Sequence, residues 1–214
     1  MRLIFLGAPG SGKGTQARLL MQSFNLDHIS TGDILRKAIN DKTVLGNTAR
    51  GYMDAGRYVP DDIILELIKE ELTKHDKGFI FDGFPRTLAQ AEGLDAILRG
   101  LGICITKVVN LTVDDATIVK RLSSRRICKE NWHEFNLLTK PPEKDGICDI
   151  CGSELYMRTD DSAEVIKSRL EIYHDNAKPV EDFYRSRGLL VDINGNSGFD
   201  EVYSSVARAV TEVK

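Results

Sequence analysis

One short stretch, Gly7-Ala8-Pro9-Gly10-Ser11-Gly12-Lys13-Gly14-Thr15, constrains this chain more than any other. It follows the apolar run Leu3-Ile4-Phe5-Leu6, which reads as a buried strand, and opens a helical pattern from about Gly12 to Phe24. Closely spaced glycines let backbone N–H groups turn inward around an anion, where side chains would block the approach. The helix N-terminus adds the positive end of its dipole, and Lys13 supplies a cation to the outer phosphates. Strand, glycine loop, lysine and helix in this order predict a phosphate-binding turn. The strict pattern has Ser or Thr directly after the lysine, yet here Gly14 intervenes before Thr15. That departure weakens a hydroxyl-on-magnesium role and argues against a switch GTPase.

Short apolar runs alternate with helical patterns along the rest of the chain. His28-Ile29-Ser30, Phe79-Ile80-Phe81, Lys107 to Leu111 and Leu189 to Asp192 are strand candidates. Helical patterns cover Asp61 to Lys74, Thr87 to Leu98, Asp114 to Arg125, Asp161 to Arg187 and Phe199 to the C-terminus, and another helix starts at Thr31-Gly32-Asp33. Such alternation predicts an α/β fold, a parallel sheet with helices on both faces. Two stretches interrupt it. Residues 31–59 carry helices without a strand, and residues 126–160 carry three cysteines, Trp132 and Pro141-Pro142 with little helical period. Both read as inserts on one core, which suits 214 residues.

Charge and hydropathy exclude several classes. Lys and Arg number 29 against 32 Asp and Glu, so the chain lacks the basic surplus of a nucleic-acid binder. No apolar run approaches the roughly 18 residues that span a bilayer. The start MRLIFLG passes straight into the glycine loop without a signal peptide's apolar core, which predicts a cytoplasmic protein. Four cysteines are too few for a disulfide scaffold at this length. Cys104, in the run Ile103-Cys104-Ile105, reads as a buried inert thiol.

A phosphate loop needs further cations, and planar guanidinium groups grip phosphate with paired hydrogen bonds. Arg36, Arg86, Arg121, Arg125, Arg158 and Arg169 are the candidates. Asp82 ends the third strand and faces the loop from the C-terminal edge, where α/β sheets bind ligands. It reads either as an orienter of magnesium-bound water or as the cap of the following helix; Asp33, after the second strand, is similarly placed. His28, His75 and His174 have no chemical company in the sequence and read as surface or packed residues.

Cys128, Cys148 and Cys151 fall within 24 residues, and the last two form a CxxC pair. His133 is the strongest fourth donor nearby, giving a Cys3His set of the usual structural-zinc kind. Cobalt or iron(II) also suits a thiolate–imidazole site. A site completed by Asn131, an acidic residue or water, and a metal-free insert with His133 on the surface, are the alternatives.

The loop GAPGSGKGT, the segment STGDILR (Ser30 to Arg36) and FDGFPRT (Phe81 to Thr87) together resemble the adenylate kinases, nearly end to end. The cysteine insert is similar to the long metal-carrying lid of many bacterial members, although they commonly have a first CxxC pair where this chain has Asn131. The resemblance implies a core of residues 1–29, 60–125 and 161–214, an AMP-binding domain of residues 30–59 and a lid of residues 126–160. It implies reversible transfer between ATP and AMP giving two ADP, with Mg2+ accompanying ATP, in a monomer. It assigns Lys13, Asp82, Arg86, Arg121, Arg125, Arg158 and Arg169 to catalysis. Gly10, Ser11, Gly12, Lys13, Gly14, Thr15, Arg121, Arg125, Glu134, Phe135 and Ser197 match ATP positions, Ser197 standing where relatives often carry a Lys. Thr31, Gly32, Leu35, Arg36, Met53, Arg57, Tyr58, Val59, Gly83, Phe84, Pro85, Arg86, Gln90, Arg158 and Arg169 match AMP positions. A uridylate or cytidylate kinase is the nearest alternative, and a nucleotide-sensing zinc-knuckle module a more distant one.

Overall fold

The computed structural model describes residues 1–75 and 77–212. Five strands form one parallel sheet in the order β2-β3-β1-β4-β8, with β1 Arg2–Gly7, β2 Asp27–Ser30, β3 Phe79–Asp82, β4 Lys107–Thr112 and β8 Leu190–Asn194. The chain runs from β1 to β2 on one side, then fills the gap with β3, then crosses β1 to reach β4. Strand order therefore reverses beside β1, the kind of place where open α/β sheets form a ligand crevice. Register brings Ser30 level with Asp82, and Phe5 level with Asp82 on the other side. The ends of β1, β2 and β3 thus open on one edge.

Alternate strand residues face opposite layers. Ile4, Leu6, Ile29, Phe79 and Phe81 pack with α4 (Asp61–Leu72), α5 (Leu88–Gly100) and α7 (Ala163–Arg185). Leu3, Phe5, Ile80 and Val109 pack with α1 (Lys13–Phe24) and α8 (Phe199–Thr211). Being covered on both faces, the central strands read as continuous apolar runs rather than alternating ones.

Between β2 and α4, α2 (Thr31–Asn40) and α3 (Val44–Asp54) form a helical hairpin. Ser30 caps α2 by accepting from the Asp33 amide, and Thr43 caps α3 by accepting from the Gly46 amide. A Cβ on Gly46 would lie 2.0 Å from the Ala38 carbonyl oxygen, so the two helices approach through bare backbone. Gly46→Ala is expected to lower stability by about 1–3 kcal/mol, since a backbone carbonyl cannot swing aside as a side chain can. Denaturant unfolding measures this; an unchanged midpoint would refute the close approach.

Residues 126–160, read as irregular in the sequence, contain a small antiparallel sheet, β6-β5-β7, of β5 Arg125–Cys128, β6 Glu134–Asn136 and β7 Leu155–Tyr156. Strands of two to four residues are too short to show a period. Its core is Cys128, Phe135, Cys148 and Leu155. Helix α6 (Asp115–Ser123) precedes it, and a 3-10 turn, Thr159–Asp161, follows.

Two further expectations are corrected. Cys104 is exposed rather than buried. Ile103 and Ile105 turn toward the core in this extended stretch, and the alternation leaves Cys104 outward. Helix α7 begins at Ala163 rather than Asp161, because Asp161 belongs to the preceding turn and is buried against arginines. Among the described residues no helix is long and apolar enough to cross a membrane.

Candidate active site

Every residue that the resemblance assigns to catalysis or nucleotide binding lines one cleft of about 1470 Å³ at the C-terminal edge of the sheet. The glycine loop forms its floor. Gly12 caps α1 in the left-handed region at φ 99°, a conformation that costs glycine little. Gly14 owes its place to a neighbour: a Cβ there would meet the Asp82 Oδ2 at 3.0 Å. A Ser or Thr after Lys13 would press on the Asp82 carboxylate.

Lys13 folds over the loop and donates from Nζ to the Gly7 and Ala8 carbonyls, both at 2.8 Å. Burial pushes its ammonium down to about 7, against the pull of Asp82 and with the push of Arg86, Arg169 and Arg125. Asp82 is also buried, yet its carboxyl stays below the usual range because His28 hydrogen-bonds it at 3.2 Å and Lys13 lies near. The helix-cap alternative for Asp82 fails, since Thr87 caps α5. His28 is therefore a partner of the site and not an unrelated packed residue.

Six guanidinium groups converge here from separate elements. Arg36 pairs with Asp33, and Arg86 lies 5.3 Å from the Tyr58 ring centroid while donating to the Gly83 carbonyl. Arg121 donates to the Ser11 and Gly195 carbonyls, which ties α6 to the glycine loop. Arg125 makes a two-pronged pair with Asp161 at 2.8 and 2.6 Å, and Arg158 makes another with Asp160 at 2.8 and 2.5 Å. Arg169 reaches both aspartates. Burial, with Arg125 and Arg158 beside it, pushes Arg169 down to about 10 despite Asp160. Asp160 is buried too, but Arg158 and Arg169 hold its carboxyl well below the usual range. These directions describe a pocket with a surplus of crowded cations, which an anionic ligand relieves.

Asp160 and Asp161 are not singled out as site residues in the sequence, where Asp161 reads only as the start of a helical pattern. The signal that finds them is Arg158 two residues earlier, a cation whose carboxylate partner is close in the chain. Gln90 is buried and not a surface helix residue. Its Oε1 accepts from the Arg86 amide and its Nε2 donates to Asp61, which Thr87 also reaches. One N–H and one lone pair of the amide remain for a ligand.

Cys128, His133, Cys148 and Cys151 come together at the base of the small sheet, with their donor atoms all within 4.8 Å of one another. Cys128 Sγ lies 3.4 Å from Cys151 Sγ, and His133 Nδ1 lies 3.3 Å from Cys148 Sγ. A tetrahedron with metal–sulfur bonds of ~2.3 Å has edges of about 3.8 Å, so the set is of the right size. Asn131 stands outside it, offering its backbone amide to Cys128. Ser153 Oγ lies 2.8 Å from Cys128 Sγ and 3.3 Å from Cys151 Sγ. Hydrogen bonding, led by Ser153, lowers the Cys151 thiol to about 6, the direction a metal-binding thiolate needs.

A parallel sheet reversing at a glycine–lysine loop, under a shell of guanidinium groups, defines the class of phosphate-loop nucleotide-binding enzymes. A family model described as adenylate kinase matches residues 5–189. An adenylate kinase of Caldicellulosiruptor bescii is 50% identical over 212 residues, covering 98% of this chain and 99% of its own. Adenylate kinases of Bacillus licheniformis and Archaeoglobus fulgidus are 45% and 44% identical, over 96% and 100% of this chain and of their own lengths. The chain belongs to the adenylate kinase family of phosphotransfer enzymes.

Proposed function

We propose that this chain transfers a phosphoryl group reversibly between ATP and AMP, giving two ADP, as a cytoplasmic monomer. The observation that carries the reading is the convergence of Lys13 and six arginines on one cleft between the glycine loop and the α2–α3 hairpin. ATP lies along the loop, residues Gly10 to Thr15, with its base toward Arg121, the Glu134–Phe135 backbone and Ser197. AMP lies against the hairpin, with its phosphate on Arg36 and Arg86 and its base beside Gln90. Thr31, Gly32, Leu35, Met53, Arg57, Tyr58 and Val59 wall that half, and Gly83, Phe84 and Pro85 close it. Residues 30–59 form the AMP-binding unit and residues 126–160 the lid.

Phosphoryl transfer asks mostly for positioning and charge neutralisation. Lys13 and Arg86 face the phosphates from the core, while Arg125, Arg158 and Arg169 face them from the lid side. Asp160 and Asp161 keep the last three arginines apart and aimed until phosphate oxygens replace them. No covalent enzyme intermediate is required. Asp82, a hard oxygen donor held ionised beside Lys13, suits the magnesium that accompanies ATP, which when bound shields the polyphosphate's charge. Lid closure would exclude water, a competing phosphoryl acceptor. The Cys3His set would hold a structural metal, zinc by default and cobalt or iron(II) by the same donor chemistry.

The reading is tested by ADP disproportionation and a panel of acceptors. AMP is expected to exceed UMP and CMP in kcat/KM, and Arg86→Ala to lower it about 10²–10³-fold, the worth of one preorganised donor to a transferring group. Preference for UMP or CMP would move the chain to a pyrimidine-specific kinase. No turnover with any acceptor would leave nucleotide sensing.

A further inference from the structure

Along β6, Phe135 points into the small sheet's core, while its neighbours Glu134 and Asn136 face the other way. Asn136 donates to the Arg121 carbonyl, close to where the insert leaves the core. Glu134 reaches across the cleft: its Oε2 accepts from Arg18 at 2.6 Å, and its Oε1 lies 3.8 Å from Arg125. Arg18 stands one turn into α1. Its guanidinium folds back toward the glycine loop, 3.7 Å from where a Gly14 Cβ would sit. Both residues line the cleft. Among the described residues, this is the one hydrogen bond or ion pair joining residues 126–156 to anything outside residues 121–161.

We infer that Arg18 and Glu134 form a latch holding the lid sheet over the phosphate loop, and that Arg18 is a positioning residue for the donor half of the cleft. The inference rests on residues 126–160 being a lid that swings. Bonds near the hinges, among them Thr159 to Asp54 at 3.4 Å by the lid's exit, move little when such a lid opens, whereas the bond from the lid sheet to α1 must break, so it biases the closed state. Contact with Arg125 couples the latch to phosphate binding: when Arg125 turns to a nucleotide, Glu134 is left to Arg18. An exposed pair contributes little in absolute terms, but a two-state lid needs only a small bias.

The test reads lid position in the enzyme without nucleotide. Paired fluorophores at Lys144 on the lid and Ser204 on α8, both exposed, would be introduced by a route that spares the cysteines, with metal content matched. Arg18→Gln is expected to raise the open-to-closed ratio about 2- to 5-fold, the range available to an exposed pair. Glu134→Gln should act similarly, and the double variant should open no further than either single one. About 0.5 M salt should open the natural protein and leave the variants unmoved. An unchanged ratio in Arg18→Gln, or effects that add in the double variant, would overturn the latch. ADP disproportionation on the same samples separates the two readings. Turnover with a lid indifferent to Arg18→Gln sinks the latch alone; a responsive lid without turnover sinks the activity and leaves the latch standing.

Discussion

Lys13→Met is expected to lower ADP disproportionation by about 10²–10³-fold while the fold persists. The ammonium lies in the glycine loop, bound to the Gly7 and Ala8 carbonyls, and no other lysine shares its position. Methionine keeps the length and the apolar stem but offers no charge to a transferring phosphoryl group. A second signature separates this effect from a general disturbance. With its pKa depressed to about 7, Lys13 is mostly neutral at pH 8 in the empty protein. A bound polyphosphate favours the ammonium, so ATP binding at pH 8 should take up close to one proton, about 0.9 from the ordinary titration relation. Calorimetry in buffers of different ionisation enthalpy measures that uptake, and Lys13→Met should abolish it. Stability carries the matching sign. Between about 7 and the ordinary 10.5 the unfolded chain binds the extra proton, so the natural protein gains stability over the variant as pH rises through that window. Equal proton uptake in both proteins would remove Lys13 from the phosphate site.

Much of this is legible in the sequence, for physical reasons that differ by region. The sheet is legible because β1 and β3 are buried on both faces and read as apolar runs between helical periods, while β4 keeps an apolar run interrupted by the buried Asn110, which donates to Asp192. The glycine loop is legible because its backbone geometry leaves so few residue types open. The lid sheet is not, since its longest strand has four residues and its core only four side chains. Cys104 is misread because an apolar triplet says nothing about which of its members faces out. The arginines can be found from the chemistry of phosphate, whereas Asp160 and Asp161 are reached only through Arg158 beside them, because they pair with those arginines and not with the phosphate itself. Gln90 shows the same limit: what aims it is Asp61, 29 residues earlier, and only the packing of α4 on α5 brings the two together.

With a metal on the Cys3His set, as proposed, its removal is expected to unfold residues 126–156 and spare the core. Cys128, Phe135, Cys148 and Leu155 bury too little apolar area to hold three short strands in water. A metal on the Cys3His set would clamp the two ends of the insert, Cys128 beside its entrance and Cys148 and Cys151 before its exit, and binding to such sites is folding free energy. Chelation under reducing conditions should therefore open residues 126–156 to proteolysis, with about one metal released per chain, while a resistant core fragment persists. His133→Ala tests the donor set directly. It should lose most of the metal, because three thiolates without an imidazole leave a corner of the tetrahedron to water. Metal retained in that variant would hand the corner to Ser153 or Asn131, both already hydrogen-bonded to the thiols. No metal in either protein, purified reduced and without chelator, would mean that four buried side chains suffice to fold the insert without a clamp.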